Sequence, residues 1–131
     1  MSVKEPSKEL DELANRTIGA AIEVHRELGA GFLESVYEQA LAVELTRAQI
    51  PFSTQIAVPL HYKGEKIGAG RIDLLIAGQL VVELKTVSVL LPVHSAQVMS
   101  YLKALGQPLG LLLNFNAPRM RDGVKRVILS T

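Results

Sequence analysis

Ile72-Asp73-Leu74-Leu75-Ile76-Ala77-Gly78-Gln79-Leu80-Val81-Val82-Glu83-Leu84-Lys85-Thr86 is the stretch that decides the fold. Two apolar runs flank Gly78-Gln79, so the segment reads as an antiparallel strand pair, Lys66–Ala77 and Leu80–Thr86, joined by a tight reversal. Alternation places Ile72, Leu74 and Ile76 on one side of the first of these strands. Upstream, Phe52–Tyr62 alternates as another strand, with Pro59 pointing to an edge or bulge and Lys63-Gly64-Glu65 as its turn. Further back lie two helices. Ser7–Leu28 has an acidic first turn (Glu9, Asp11, Glu12) and ends at Gly29-Ala30-Gly31; Leu33–Ala48 carries Leu33, Val36, Tyr37, Ala40, Leu41 and Leu45 as an apolar stripe. Downstream, Pro92 opens a helix to Leu105. The unbroken apolar run Leu109–Phe115 reads as a strand covered on both faces, and Val124–Leu129 as a last short strand. The order predicts one α/β domain over residues 1–131, with a mixed sheet flanked by helices.

Composition narrows the function. The chain has 131 residues, 48% of them hydrophobic and 21% charged, so it can bury a core and is not a disordered tail. With no cysteine, disulfides, zinc fingers, thiol catalysis and iron–sulfur clusters are excluded. The absence of tryptophan and the scattering of the few other aromatics argue against a stacking platform for single strands. A net charge of +1 means that any nucleic-acid contact must be a local patch. Met1–Leu13 lacks an apolar signal core, and no apolar run approaches the roughly 18 residues of a membrane span, so the expected address is the cytoplasm with no membrane partner.

The chemistry lies in charged residues set inside apolar strands. Asp73 sits among Ile72, Leu74, Leu75 and Ile76; Glu83 and Lys85 sit among Val81, Val82 and Leu84. Such charges are costly to bury unless paired or bound to a cation. Glu83 and Lys85, two apart, share a sheet face. If Ala77-Gly78-Gln79 forms a three-residue loop, Asp73 comes opposite Glu83, with Cβ atoms about 4.5–5.5 Å apart. Two carboxylates that close favour a hard divalent cation such as Mg²⁺ between them, and Lys85 would then be placed to act on an attacking water. On the last helix, His94, Gln97 and Tyr101 form a polar ridge beside Val98, Leu102 and Leu105.

Asp73, nine residues, then Glu83-Leu84-Lys85 resembles the D…(D/E)-x-K motif of the PD-(D/E)XK nuclease superfamily. Gly31-Phe32-Leu33-Glu34-Ser35-Val36-Tyr37 matches the motif that names its GxxExxY proteins, and Gln97-Val98-Met99-Ser100-Tyr101 is similar to its QxxxY helix motif. Ile72 stands where the superfamily name has proline. The resemblance runs from about Thr17 to Leu129 and implies a restriction-endonuclease-like α-β-β-β-α-β core with an extra N-terminal helix. It also implies a nuclease using Mg²⁺ or Mn²⁺ to hydrolyse phosphodiester bonds, with DNA as the first expected substrate. Asp73, Glu83, the Leu84 carbonyl and Glu34 would hold the metal; Lys85 would assist the water; Gln97 and Tyr101 would support the site.

Plainer readings stand beside these. Asp73, Glu83 and Lys85 make an ordinary cross-strand ion pair if their face is solvated. Glu34 suits any helix start. Glu38 reads as solvated, Tyr37 as core, His25 as a hydrogen-bonded structural histidine and His61 as surface, while His94 fits either a site ridge or a helix end. Arg119, Arg121, Lys125 and Arg126 read either as a solvated loop or as a clamp for phosphates. As a whole, the chain could be a nuclease-fold module that binds nucleic acid or protein without catalysis. A metabolic α/β domain is the third possibility, weakened by the absence of a Gly-rich phosphate loop. Cutting two strands with so small a domain points to a homodimer.

Overall fold

The computed structural model describes residues 5–130, so part of the signal-core reading of Met1–Leu13 lies outside the described residues. The elements run α1 (Lys8–Leu28), α2 (Glu34–Arg47), β1 (Phe52–Tyr62), β2 (Glu65–Ile76), β3 (Leu80–Lys85), α3 (Pro92–Leu105), β4 (Leu109–Asn114) and β5 (Val124–Ile128), with a 3₁₀ turn at Met120–Gly123 before the last strand. Local chemistry sets the ends. The Ser7 hydroxyl accepts from the Leu10 amide 3.1 Å away and caps α1. Proline starts α3, and Gly106, at φ 67°, ends it in the left-handed conformation that glycine adopts without strain.

The strands form one sheet in the order β1-β2-β3-β4-β5. Only β3 and β4 are parallel, because α3 crosses between them; every other neighbour is antiparallel. The sheet is mixed, as the sequence predicts, and α1 stands ahead of an α-β-β-β-α-β core. β4 is buried along its whole length, as its unbroken apolar run requires. Leu74, Ile76, Leu80, Val82, Leu84, Leu111 and Leu113 pack against α1 and α2. Val58, Ile72, Val81 and Leu112 pack against Val98 and Leu102 of α3 on the other face.

One expectation fails, and it bears on the site. Ile72 does not share a face with Leu74 and Ile76: it packs under α3, they under α1 and α2. Strict alternation would put all three together. The strand changes face at Asp73. Opposite it, Gln55 has φ 53°, and the β1–β2 pairing skips from Thr54↔Leu74 to Ile56↔Ile72. The irregularity turns Asp73 off both packed faces.

α3 sits tightly on β4. A Cβ added at Gly110 would lie 2.6 Å from Val98 Cγ1, inside a packed layer. Gly110→Ala should therefore lower stability by about 1–3 kcal/mol through overpacking, read as a shifted urea midpoint with an unchanged slope.

Candidate active site

The site lies where β2 and β3 part. Their backbone pairing covers only Leu74↔Val82, Leu75↔Val81 and Ile76↔Leu80, across the three-residue loop expected at Ala77–Gln79. Past Leu74 the ladder stops and side chains replace it. The Asp73 amide donates to Glu83 Oε1 at 2.9 Å, and the Leu84 amide donates to Asp73 Oδ2 at 2.8 Å. Each carboxylate thus satisfies a backbone N–H of the opposite strand, which fixes both acids at the mouth of the fork. Glu83 is only 5% exposed. Burial, and then the charge of Asp73, push its carboxyl from the usual 4.5 up to about 7; the Asp73 amide and Lys85 pull the other way.

Lys85 follows two residues along the same face and reaches α3, its Nζ 3.4 Å from Gln97 Oε1. Gln97 Nε2 in turn lies 3.4 Å from the Tyr101 hydroxyl. The Tyr101 ring packs on Gly70 of β2, where an added Cβ would lie 2.5 Å from the ring edge. The QxxxY segment therefore braces Lys85 from a helix seated on the same sheet.

Glu34 opens α2, and its electrostatic partners are Asp73 and Lys85. Partial desolvation and then Asp73 push its carboxyl upward, while Lys85 opposes them. The loop before it is tightly held. Gly29 and Gly31 take φ of 70° and 110°. The fully buried Tyr37 donates its hydroxyl hydrogen to Gly29 O at 2.6 Å and accepts from the Phe32 amide at 3.2 Å. Its ring stacks on Phe115 with centroids 4.4 Å apart. Tyr37 is core, as read, and with Gly31 it holds the turn from which Glu34 opens α2.

A family model for the PD-(D/E)XK nuclease superfamily matches residues 11–127. The chain belongs to that superfamily. The crystal structure of SSO0001 resembles this superfamily member in fold, with a TM-score of 0.59 at 19% identity over 74% of this chain, which spans 50% of the SSO0001 chain. The five-stranded mixed sheet with its helices is thus consistent with a restriction-endonuclease-like fold carrying an N-terminal helix. No curated protein matches this superfamily member.

Two neighbours of the site escaped the sequence reading. Gln55 of β1 donates to Glu38 at 2.5 Å and lies 3.4 Å from Asp73 Oδ1, so Glu38 is tied to the site rather than simply solvated. Counting back from the Lys63-Gly64 turn sets Thr54 opposite Asp73; a bulge between Leu60 and His61 shifts the register and brings Gln55 there instead. His25 is structural, its Nε2 donating to Ala117 O at 2.9 Å, and His94 caps α3, its Nδ1 accepting from the Leu91 amide at 2.9 Å. His61 is exposed.

The four C-terminal basic residues do not form one clamp. Lys125 and Arg126 are consecutive in β5 and point to opposite faces, and Arg126 is ion-paired with Asp11 of α1. Arg119 pairs with Asp122 at 3.1 Å, and Arg121 lies in the same 3₁₀ segment.

Two outcomes test this geometry. The folded-state pKa of Glu83 lies above its unfolded value, so its contribution to stability is lost as pH rises from about 4.5 through about 7. Glu83→Gln should consequently be more stable than wild type at pH 8, by on the order of 2–3 kcal/mol, with the advantage shrinking toward pH 4 in thermal melts. Tyr37→Phe leaves the Phe32 amide and Gly29 carbonyl without their partner and should cost about 1–3 kcal/mol in denaturant unfolding.

Proposed function

We propose that this chain is a divalent-metal-dependent nuclease that hydrolyses phosphodiester bonds in nucleic acid, with DNA as its first substrate, and that it belongs to the GxxExxY group. The observation that carries this reading is the β2–β3 fork, which gathers Asp73, Glu83 and Lys85 where the backbone ladder has opened. The donors fit Mg²⁺ or Mn²⁺: all are hard oxygens, and two of them come from acids held side by side at the fork. Among the described residues no group of three or more acidic or imidazole side chains is already set for a metal. Each of Asp73 and Glu83 uses one oxygen on an amide; Glu83 Oε2 accepts no hydrogen bond among the described residues, and Asp73 Oδ1 meets only Gln55, at 3.4 Å.

Asp73, Glu83 and the Leu84 carbonyl would hold the ion, with Glu34 nearby; when bound, it would lower the pKa of water and neutralise charge on the phosphate. This chain's own groups do the rest. Lys85, braced by Gln97 and Tyr101, holds the attacking water and offsets the developing negative charge. Glu34 adds its negative charge beside Asp73, and Gln55 keeps Asp73 oriented. The single sheet supports treating 1–131 as one nuclease domain. Among the described residues no helix is long and apolar enough to cross a membrane. The open edges of β1 and β5 would admit a second copy, giving the homodimer that two-strand cutting needs, and a cytoplasmic address completes the proposal.

Plasmid and single-stranded DNA incubated with Mg²⁺ or Mn²⁺ should be cleaved, and EDTA should stop the reaction. Asp73→Ala should abolish cutting, and Lys85→Ala should slow it by roughly 10²–10⁴-fold. Calorimetric binding of Mn²⁺ that disappears in Glu83→Ala would accompany it. Equal cutting by Asp73→Ala would reject the assignment, and nucleic-acid binding with no turnover under any metal would leave a non-catalytic module in its place.

A further inference from the structure

Beyond the fork, the described residues contain a basic pocket that the nuclease chemistry does not use. It measures about 310 Å³ and lies between the last turns of α1 and the 3₁₀ segment, lined by Ile22, His25, Arg26, Arg119, Met120 and Arg121. Ile22 and the buried Met120 supply its apolar floor, and three guanidinium groups and an imidazole supply its polar wall.

The pocket is built into the same end of the sheet as the fork. β3 and β4 are parallel, with Lys85 beside Asn114, so their carboxyl ends lie together. The Phe115 amide donates to Lys85 O at 2.9 Å. Two residues on, Ala117 O accepts from His25 Nε2 at 2.9 Å, and the ring of His25 lies 6.5 Å from that of Phe115. The segment that leaves β4 thus passes directly from Lys85 to the pocket wall.

Its charges are incompletely neutralised. Arg26 pairs with Glu23 at 3.0 Å and Arg119 with Asp122 at 3.1 Å, but the two arginine side chains are 70% and 74% exposed. A guanidinium carries five N–H donors, so one carboxylate leaves several of them free. Arg121 makes no ion pair among the described residues. Planar, multiply donating cations around a small concavity suit a phosphate group.

Resting on the nuclease reading, we propose that this pocket seats a phosphate of the nucleic-acid strand outside the cleavage site, through Arg26, Arg119 and Arg121. That phosphate is either an internal phosphodiester or a terminal phosphomonoester, the two sources sharing one chemistry. The contact locates the strand and takes no part in bond breaking.

The test reads binding separately from cleavage. Fluorescently labelled oligonucleotides, with and without a 5′-phosphate, are titrated by anisotropy against Asp73→Ala protein across a salt series. In that background Arg121→Gln should weaken binding several-fold at low salt and reduce the slope of log affinity against log salt by about 1, and the Arg26→Gln/Arg119→Gln/Arg121→Gln combination by about 2–3. Arg47→Gln removes the same charge at the far end of α2, about 20 Å along the helix from Glu34, and should change neither. A loss confined to the 5′-phosphorylated strand identifies the terminal group; a loss on both identifies the internal one. Unchanged affinity and slope in the single and triple variants overturn the pocket, as does an equal effect from Arg47→Gln. If Asp73→Ala cuts as well as wild type while the arginine variants still lose salt dependence, the nuclease reading falls and the phosphate pocket stands.

Discussion

Two backbone amides must be satisfied at the point where β2 and β3 separate, and carboxylates satisfy both. Asp73 N–H meets Glu83 Oε1, and Leu84 N–H meets Asp73 Oδ2. In a continuing antiparallel ladder those groups would find opposing backbone partners, and side chains in these positions would face solvent or core. Ending the ladder at Leu74↔Val82 converts two strand residues into two acids locked at one mouth. The cost is visible in Glu83, whose carboxyl resists ionisation because it is buried beside another acid. A buried carboxyl with a raised pKa beside a second acid is an arrangement that marks a candidate site rather than one that adds stability.

Much of this was legible in the sequence because its local signals agree with the fold. The apolar run Leu109–Phe115 and the Gly78-Gln79 reversal each specify one structure. The Asp73–Glu83 juxtaposition follows from counting across that reversal. The failures along β1 and β2 have one physical source, namely backbone irregularity. Period-two counting assumes an even pleat, so it could not show that β2 changes face at Asp73 or that a bulge at Leu60/His61 brings Gln55 opposite it. The face change at Asp73 has no glycine to announce it: Gln55 takes its positive φ as an ordinary side chain. The splitting of the C-terminal basic residues had a readable cause that proximity in sequence concealed, since neighbours in a strand face apart.

The segment Gly31–Tyr37 shows why a motif can mix residues of different kinds. Glu34 alone touches the electrostatics of the fork; Gly31 permits the backbone turn and Tyr37 anchors it from inside the core. A carboxylate on an unanchored loop would swing out of the field of Asp73 and Lys85, because exposure lowers the cost of its charge. The stack of Tyr37 on Phe115 adds a second consequence. Phe115 is bonded through its amide to Lys85, so the loop holding Glu34 and the strand holding Lys85 meet on one aromatic pair.

That shared anchor ties the basic pocket to the acidic fork. The pocket wall, the Glu34 loop and the end of β3 all close on Phe115 and the residues just after it, so none can shift far without moving the others. A strand with one phosphate at the arginines would be held at a fixed distance from the carboxylates. Orientation of this kind lowers a barrier by removing freedom before the chemical step rather than by stabilising charge during it. A chain with a net charge of +1 gains little from long-range attraction, so under the proposed reading its hold on a polyanion would have to come from a few donors on a rigid support. The carboxyl ends of two adjacent parallel strands would provide that support, with Lys85 hydrogen-bonded to Phe115 and the His25 wall of the pocket hydrogen-bonded to Ala117 two residues on.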